Sequence, residues 1–276
     1  MNDTMAQFYF WFNLTLISII GLCIGSFLNV VIYRIPLYFV NNGKGMSVSF
    51  PPSHCPNCKH RITIRDNIPL ISFMLLKGRC RFCNEKIHFS YPLTEGITLI
   101  AFICFYLLYY NNDLALFILS TFLFCLLYVI SIIDLKFYII PDRLVFLLFI
   151  GGVVHSIIYG QMTYDFFGLI IYTLIFTIII FACESFSDKQ MLGMGDVKFY
   201  LSAVPWSGGL NFPFVMLISS VTGLIILMCW KLYTKKTYIS NQLTQDIDEK
   251  KFIPFGPAIA VALLIVYLFV HTTNKI

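Results

Sequence analysis

The sequence predicts an all-α polytopic membrane protein of about eight transmembrane helices, with one small polar loop module carrying four paired cysteines. Three observations predict it. The 276-residue chain is 58% hydrophobic and 12% charged, with a mean hydropathy of +0.80, far from the composition of a soluble domain. Apolar runs near the bilayer-spanning length of about 20 residues recur along it. The Lys and Arg residues collect on one side of the pattern those runs create.

In order, the runs cover residues 9–33, 96–110, 114–133, 143–160, 165–184, 197–211, 213–232 and 252–270. The second and sixth are short, and the sixth carries Pro205 and Gly208-Gly209. With the N-terminus outside, the cytoplasmic pieces are 34–95, 134–143, 185–198 and 231–251. They hold nine, two, two and five of the Lys and Arg residues, eighteen of nineteen, leaving Lys275 outside. One misplaced span would scramble that tally. The net charge of +5 therefore reports orientation in a bilayer and not nucleic-acid binding, since no folded basic face collects it. The first eight residues carry no Lys or Arg, so the first run lacks the basic start of a cleavable signal peptide.

The expected domains are a first transmembrane segment, 1–33, a cytoplasmic module, 34–95, and a membrane domain, 96–276. No solenoid repeat or low-complexity tract interrupts them, and 234–251 reads as a solvated mixed-charge connector. A module of about 60 residues is small enough to need a staple. Cys55-Pro-Asn-Cys58 and Cys80-Arg-Phe-Cys83 supply one, as two CxxC turns separated by 21 residues. Two sulfurs from each turn complete the tetrahedral shell of one structural Zn(II). The cytoplasmic placement disfavours disulfides, and the matched copies favour zinc over a redox CxxC. His54, His60 and His88 flank this centre but have no vacant position to fill. Cys23, Cys104, Cys125, Cys183 and Cys229 lie singly in apolar runs and read as packing residues. His155, alone in another run, reads the same way.

Two aspartates end apolar runs: Asp134, in Asp134-Leu-Lys-Phe-Tyr-Ile-Ile-Pro141-Asp142, and Asp196, in Gly193-Met-Gly195-Asp196-Val-Lys198. A carboxylate against hydrocarbon is costly and is retained for a reason. The topology puts both at the cytoplasmic face. Two carboxyls at hydrogen-bond distance in a dry site share a proton, giving one base to activate water and one acid to polarise a peptide carbonyl. Gly193 and Gly195 allow close backbone approach and conformations closed to other residues. Pro141 breaks helical continuity after Asp134. Asp142 competes with Asp134 for the first role, but its place after Pro141 and before a helix suits an N-cap. With Pro141, Gly193, Gly195 and Lys198, Asp142 is expected to support the pair.

Taken together these residues resemble the GxGD-type intramembrane aspartic proteases, specifically the bacterial type IV prepilin leader peptidases and N-methyltransferases. The resemblance spans nearly the whole chain. It rests on Gly21-Leu-Cys-Ile-Gly25-Ser26-Phe-Leu-Asn29-Val-Val-Ile-Tyr-Arg34-Ile-Pro36, both CxxC pairs, Asp66-Asn67-Ile-Pro69-Leu-Ile-Ser72-Phe, Gly78-Arg79-Cys80, Tyr91-Pro92-Leu-Thr-Glu95, Gly193-x-Gly195-Asp196 and Ile253-Pro-Phe-Gly256-Pro257. It implies cleavage of type IV prepilins or pseudopilins after a Gly, between a short basic leader and an apolar helix, at the cytoplasmic face of the bacterial inner membrane. It assigns catalysis to Asp134 and Asp196. It also implies N-methylation of the new terminal residue from S-adenosylmethionine, with Asn29, Arg34, Asp66, Asn67 and Glu95 as candidate cofactor-binding residues. No Gly-rich βαβ signature accompanies that second activity. The chain departs from the family in carrying Ser90 where Arg or Gln usually precedes Tyr-Pro.

Two other readings differ in what they require. An ion transporter or channel would place acids within several spans and depend little on Gly193 and Gly195. A non-catalytic scaffold for pilus assembly would tolerate loss of either aspartate. The choice among pili, secretion and DNA uptake, the identity of the precursors and the oligomeric state stay open at this level.

Overall fold

The structure, a computed structural model, describes residues 3–40, 50, 52–109, 113–186, 193–238 and 254–273. Ile253, Lys275, most of the 234–251 connector and the side chain of Cys183 lie outside the described residues. Among the described residues the fold is helical without strands, and each of the eight apolar runs overlaps one helix. The chain forms two compact units, Met1–Cys125 and Leu126–Ile276.

In the first unit, α1 (Asp3–Val40) packs along α3 (Ser90–Tyr109). Gly21 and Gly25, one small residue per turn, let the two backbones meet. A Cβ on Gly25 would lie 2.8 Å from the Cα of Glu95 and would also strike the hydroxyl of Thr98. Between these helices the chain makes two cysteine turns, a 3₁₀ turn (Ile64–Asn67) and the short α2 (Ile71–Leu75). The unit closes with the start of α4 (Leu114–Phe137), where Asp113 Oδ1 accepts the free N–H groups of Ala115 (2.9 Å) and Leu116 (3.2 Å). That satisfies helix-end donors that lipid could not.

The second unit contains the end of α4, then α5 (Asp142–Ile158), α6 (Met162–Phe186), α7 (Met194–Ser207), α8 (Phe212–Tyr238) and α9 (Gly256–Thr273). Gly160 and Gly208, at φ +66° and +79°, stop the chain after α5 and α7 in a conformation that costs other residues a steric clash. The short α7 packs on α5, α6, α8 and α9. Its Phe199, Ala203, Val204 and Trp206 are fully buried. Beyond Lys198 its faces are buried nearly all round, as suits a helix inside protein.

Five helices (α1, α3, α4, α6 and α8) are long and apolar enough to cross a bilayer, and α9 is a shorter apolar helix. At 14 residues α7 rises only about 21 Å, less than the roughly 30 Å hydrocarbon core.

Candidate active site and metal centre

In the second unit Asp134 sits in the last turn of α4, 5% exposed. The helix then ends: Tyr138 takes φ +55°, its N–H bonding back to the Asp134 carbonyl at 2.9 Å. Pro141 follows and caps α5. Asp196 lies in the first turn of α7, half-buried, and feels the charge of Asp134. The fold thus brings together two carboxyls that are 62 positions apart in the chain.

A third segment completes the arrangement. The backbone N–H of Gly256, at the start of α9, donates to Asp134 Oδ2 at 2.8 Å. A Cβ on Gly256 would stand 2.8 Å from that same oxygen. A helix start offers free N–H groups and a partial positive charge, so it suits a carboxylate. Gly256 is therefore part of the site, although reasoning from polarity alone passes over it. The available signal was Gly256-Pro257, a helix-start pair following a break in an apolar run.

The paired glycines act through space and not through backbone freedom. Neither Gly193 nor Gly195 takes a positive φ, contrary to the expectation of a conformation closed to other residues. A Cβ on Gly193 would press within 2.9 Å of Asp196 Oδ2, and one on Gly195 within 3.3 Å of the Ile140 side chain. Asp142 does not cap α5, since that position is held by Pro141; Asp142 enters the first turn and pairs with Lys198 Nζ at 2.8 Å. Both side chains are more than half exposed, so the pair ties α5 to α7 only loosely.

The first unit holds the cysteine centre. The Sγ atoms of Cys55, Cys58, Cys80 and Cys83 all lie within 4.8 Å of one another. The two turns repeat with an offset of 25 residues. Cys55 N–H bonds His60 O and Lys59 N–H bonds Cys55 O; correspondingly Cys80 N–H bonds Glu85 O and Asn84 N–H bonds Cys80 O. Lys59 and Asn84, at φ +59° and +56°, follow the second cysteine of each turn. Bridges pair His54 with Arg61 and Arg79 with Lys86.

These residues fit a metal ion. A tetrahedral Zn(II) with sulfurs at about 2.3 Å requires them about 3.8 Å apart, and Cys55 Sγ and Cys83 Sγ are 3.8 Å apart. The electrostatics agree. The N–H groups of Cys83 and Phe82 hold the Cys80 thiol down to about 7. The N–H of Glu85 favours the Cys83 thiolate, but burial and the neighbouring thiols push Cys83 up to about 11. Without a cation the cluster cannot carry four thiolates. The flanking histidines are engaged elsewhere: His54 Nδ1 with Pro52 O (3.1 Å), His60 against the Phe82 ring, and His88 Nδ1 with Ser90 Oγ (2.8 Å). Ser90, the departure from the family pattern, thus joins His88 at the start of α3.

The residues suggested for a methyl donor lie on α1 (Asn29, Arg34), the 3₁₀ turn (Asp66, Asn67) and α3 (Glu95). Asp66 accepts a forked bond from Arg81, which holds its carboxyl below the usual range and ties the 3₁₀ turn to the second cysteine turn. Asn29 Nδ2 donates to Tyr91 O at 3.1 Å across the α1–α3 seam. Glu95 Oε2 accepts the N–H of Leu70 at 2.7 Å, fixing that residue at φ +57°. Arg34 is buried on α1, and Asn67 is exposed.

His155 is a packed residue but not a lone one. Its Nε2 lies 2.8 Å from His271 Nε2, and its Nδ1 lies 3.1 Å from Pro205 O. The pairing joins α5 to α9 across 116 positions, with no local trace in the sequence.

Comparison with known proteins bears on both units. Residues 19–109 match the bacterial peptidase A24 N-terminal domain, and residues 121–228 match the type IV leader peptidase family. A prepilin leader peptidase/N-methyltransferase of Pectobacterium carotovorum subsp. carotovorum is 30% identical over 270 residues, 91% of this chain and 90% of the relative. The chain belongs to the type IV leader peptidase family. A type 4 prepilin-like proteins leader peptide-processing enzyme of Escherichia coli O78:H11 (strain H10407 / ETEC) is 33% identical, covering 87% of this chain and 88% of that protein. A prepilin leader peptidase/N-methyltransferase of Klebsiella pneumoniae is 33% identical over 80% of this chain and 96% of its own. No solved structure gives a significant match. Membership makes this protein an enzyme of the aspartic peptidase class and sets aside the ion-pathway and scaffold readings.

Proposed function

We propose that this enzyme removes the short basic leader from type IV prepilins or pseudopilins, with Asp134 and Asp196 as the catalytic pair. The observation that carries the reading is the meeting of α4, α7 and α9: one carboxyl held by the Gly256 N–H, a second within its electrostatic reach, and glycines leaving both free of side-chain crowding. With one proton shared, the charged carboxyl takes a proton from water while the neutral one donates to the scissile carbonyl. Burial keeps both interactions strong. Gly193, Gly195, Pro141, Asp142 and Lys198 support the site by shaping the ends of α5 and α7.

The same reading places the N-terminus outside the bacterial inner membrane and the aspartates at its cytoplasmic face, with α5, α9 and the short α7, which α5, α6, α8 and α9 shield from lipid, crossing beside the five longer helices. The charge tally supports it. Cys55, Cys58, Cys80 and Cys83 hold a structural Zn(II) that fixes the cytoplasmic module. The relatives' designation supports a second activity, N-methylation of the new terminal residue from S-adenosylmethionine. Asn29, Arg34, Asp66, Asn67 and Glu95 remain its candidate residues, acting at the junction of the module with α1 and α3.

The test incubates purified protein with a prepilin and labelled S-adenosylmethionine, and reads product mass. The expected product has lost a leader-sized mass and gained one methyl, and neither Asp134→Asn nor Asp196→Asn forms it. Cleavage surviving in either variant overturns the two-aspartate assignment.

A further inference from the structure

The surface of α2 is inverted for a protein facing water. Its one buried side chain is Ser72, whose Oγ donates to Arg65 O (2.8 Å) and accepts from Ile68 N–H (2.9 Å). Three of its four apolar side chains point outward: Ile71 is 53% exposed, Met74 74% and Leu75 75%, while Phe73 is half-buried against Phe89. Ile64, in the neighbouring 3₁₀ turn, is 90% exposed. A contiguous exposed apolar patch marks an interface.

Beside it lies an open recess of about 400 Å³ between α2 and α3, lined by Leu70, Phe73, Met74 and Phe89 above and by Leu93 and Ile100 below. The lower residues belong to a helix long and apolar enough to cross a bilayer, so the recess is continuous with a lipid-facing surface. Gly96 keeps its floor open, since a Cβ there would meet nothing within 4 Å. Around the patch the charge is basic. Residues 52–89 contain seven Lys and Arg against Asp66 and Glu85, and Arg65, Lys77 and Arg79, which bracket α2, are all exposed.

We propose that this surface seats the cysteine module on an anionic leaflet: α2 lies in the membrane interface, a phospholipid acyl chain fills the recess, and Arg65, Lys77 and Arg79 meet lipid phosphates. Apolar side chains on one face with basic residues at its edges are what an interfacial segment requires. Continuity with α3 and the basic rim favour lipid over a peptide occupant. The inference rests on α1 and α3 crossing the bilayer and not on either enzymatic activity.

The test places a photo-crosslinking benzoylphenylalanine at Met74 of the full-length, zinc-loaded protein. Nanodiscs are made of phosphatidylcholine alone or mixed with phosphatidylglycerol, and adduct masses are read. Phosphatidylglycerol adducts in excess of its share of the bilayer are expected. Lys77→Gln combined with Arg79→Gln should lower that excess about tenfold. Gly96→Leu, which fills the recess, should lower all lipid adducts. Adducts to a second copy of the chain, an absence of lipid adducts, or lipid adducts displaced by a prepilin would each overturn the proposal. Cleavage measured on the same nanodiscs separates this result from the peptidase reading.

Discussion

The cysteine centre and the aspartate site are assembled on different scales. The four cysteines come from two copies of one local turn, 25 residues apart, each with its own backbone bonds and its own left-handed residue. The aspartates come from the ends of two helices, and the group orienting one of them comes from a third helix 122 residues away. A local centre tolerates change in the rest of the fold. A site made by helix ends depends on every helix that supplies an end.

Removing a carboxyl should silence one centre and leave the other intact. Asp134→Asn or Asp196→Asn should lower cleavage by a factor on the order of 10³ or more, because neither half of an acid–base pair works alone. Zinc content by elemental mass spectrometry should stay at one ion per chain. The converse is Cys55→Ser or Cys80→Ser, which should release zinc and cripple methyl transfer, since structural zinc contributes on the order of 10 kcal/mol to a small module. Normal methylation by zinc-free protein would break the comparison from the other side.

Gly256→Ala sharpens it. The methyl group would displace Asp134 Oδ2, and a shift of that kind should cost cleavage about a hundredfold with zinc and methyl transfer unchanged. The pH profile discriminates further. A pair sharing one proton loses its base as pH falls through the lower apparent pKa and its acid as pH rises through the higher, so cleavage should be bell-shaped. A profile with only one limb would contradict the shared proton. The smallest effect belongs to Lys198→Gln: an exposed ion pair should matter by less than about threefold in cleavage rate.

Legibility in the sequence followed the same division of scale. The eight long helices were legible because each holds an apolar run, and the cysteine turns because their ligands and their folding signals share a few residues, while α2 and the 3₁₀ turn, too short to carry a period, were not. The two aspartates stood out because charge beside hydrocarbon is rare. What escaped was made by contact between distant segments. Gly256 carries no side chain, so nothing in its chemistry announces that its N–H faces a carboxylate. His155 looked solitary because His271 is 116 positions away. Asp142 looked like a cap because Pro141-Asp before a helix favours that geometry, yet the helix began one residue earlier, at Asp142 itself, and left its side chain to pair with Lys198. Of the two properties expected of Gly193 and Gly195, the special backbone angles are absent, and what they provide is room for Asp196 and Ile140 at ordinary angles.

The bond from Gly256 to Asp134 also sets an order of events during synthesis. A ribosome releases α4, then α5 through α8, before the residue that anchors Asp134 exists. Until α9 enters the membrane, the carboxyl has no oriented partner, and a nascent chain stalled before residue 256 would hold both aspartates yet remain inert. On the proposed mechanism, a newly made copy gains the power to cut only once α9 has packed against Asp134.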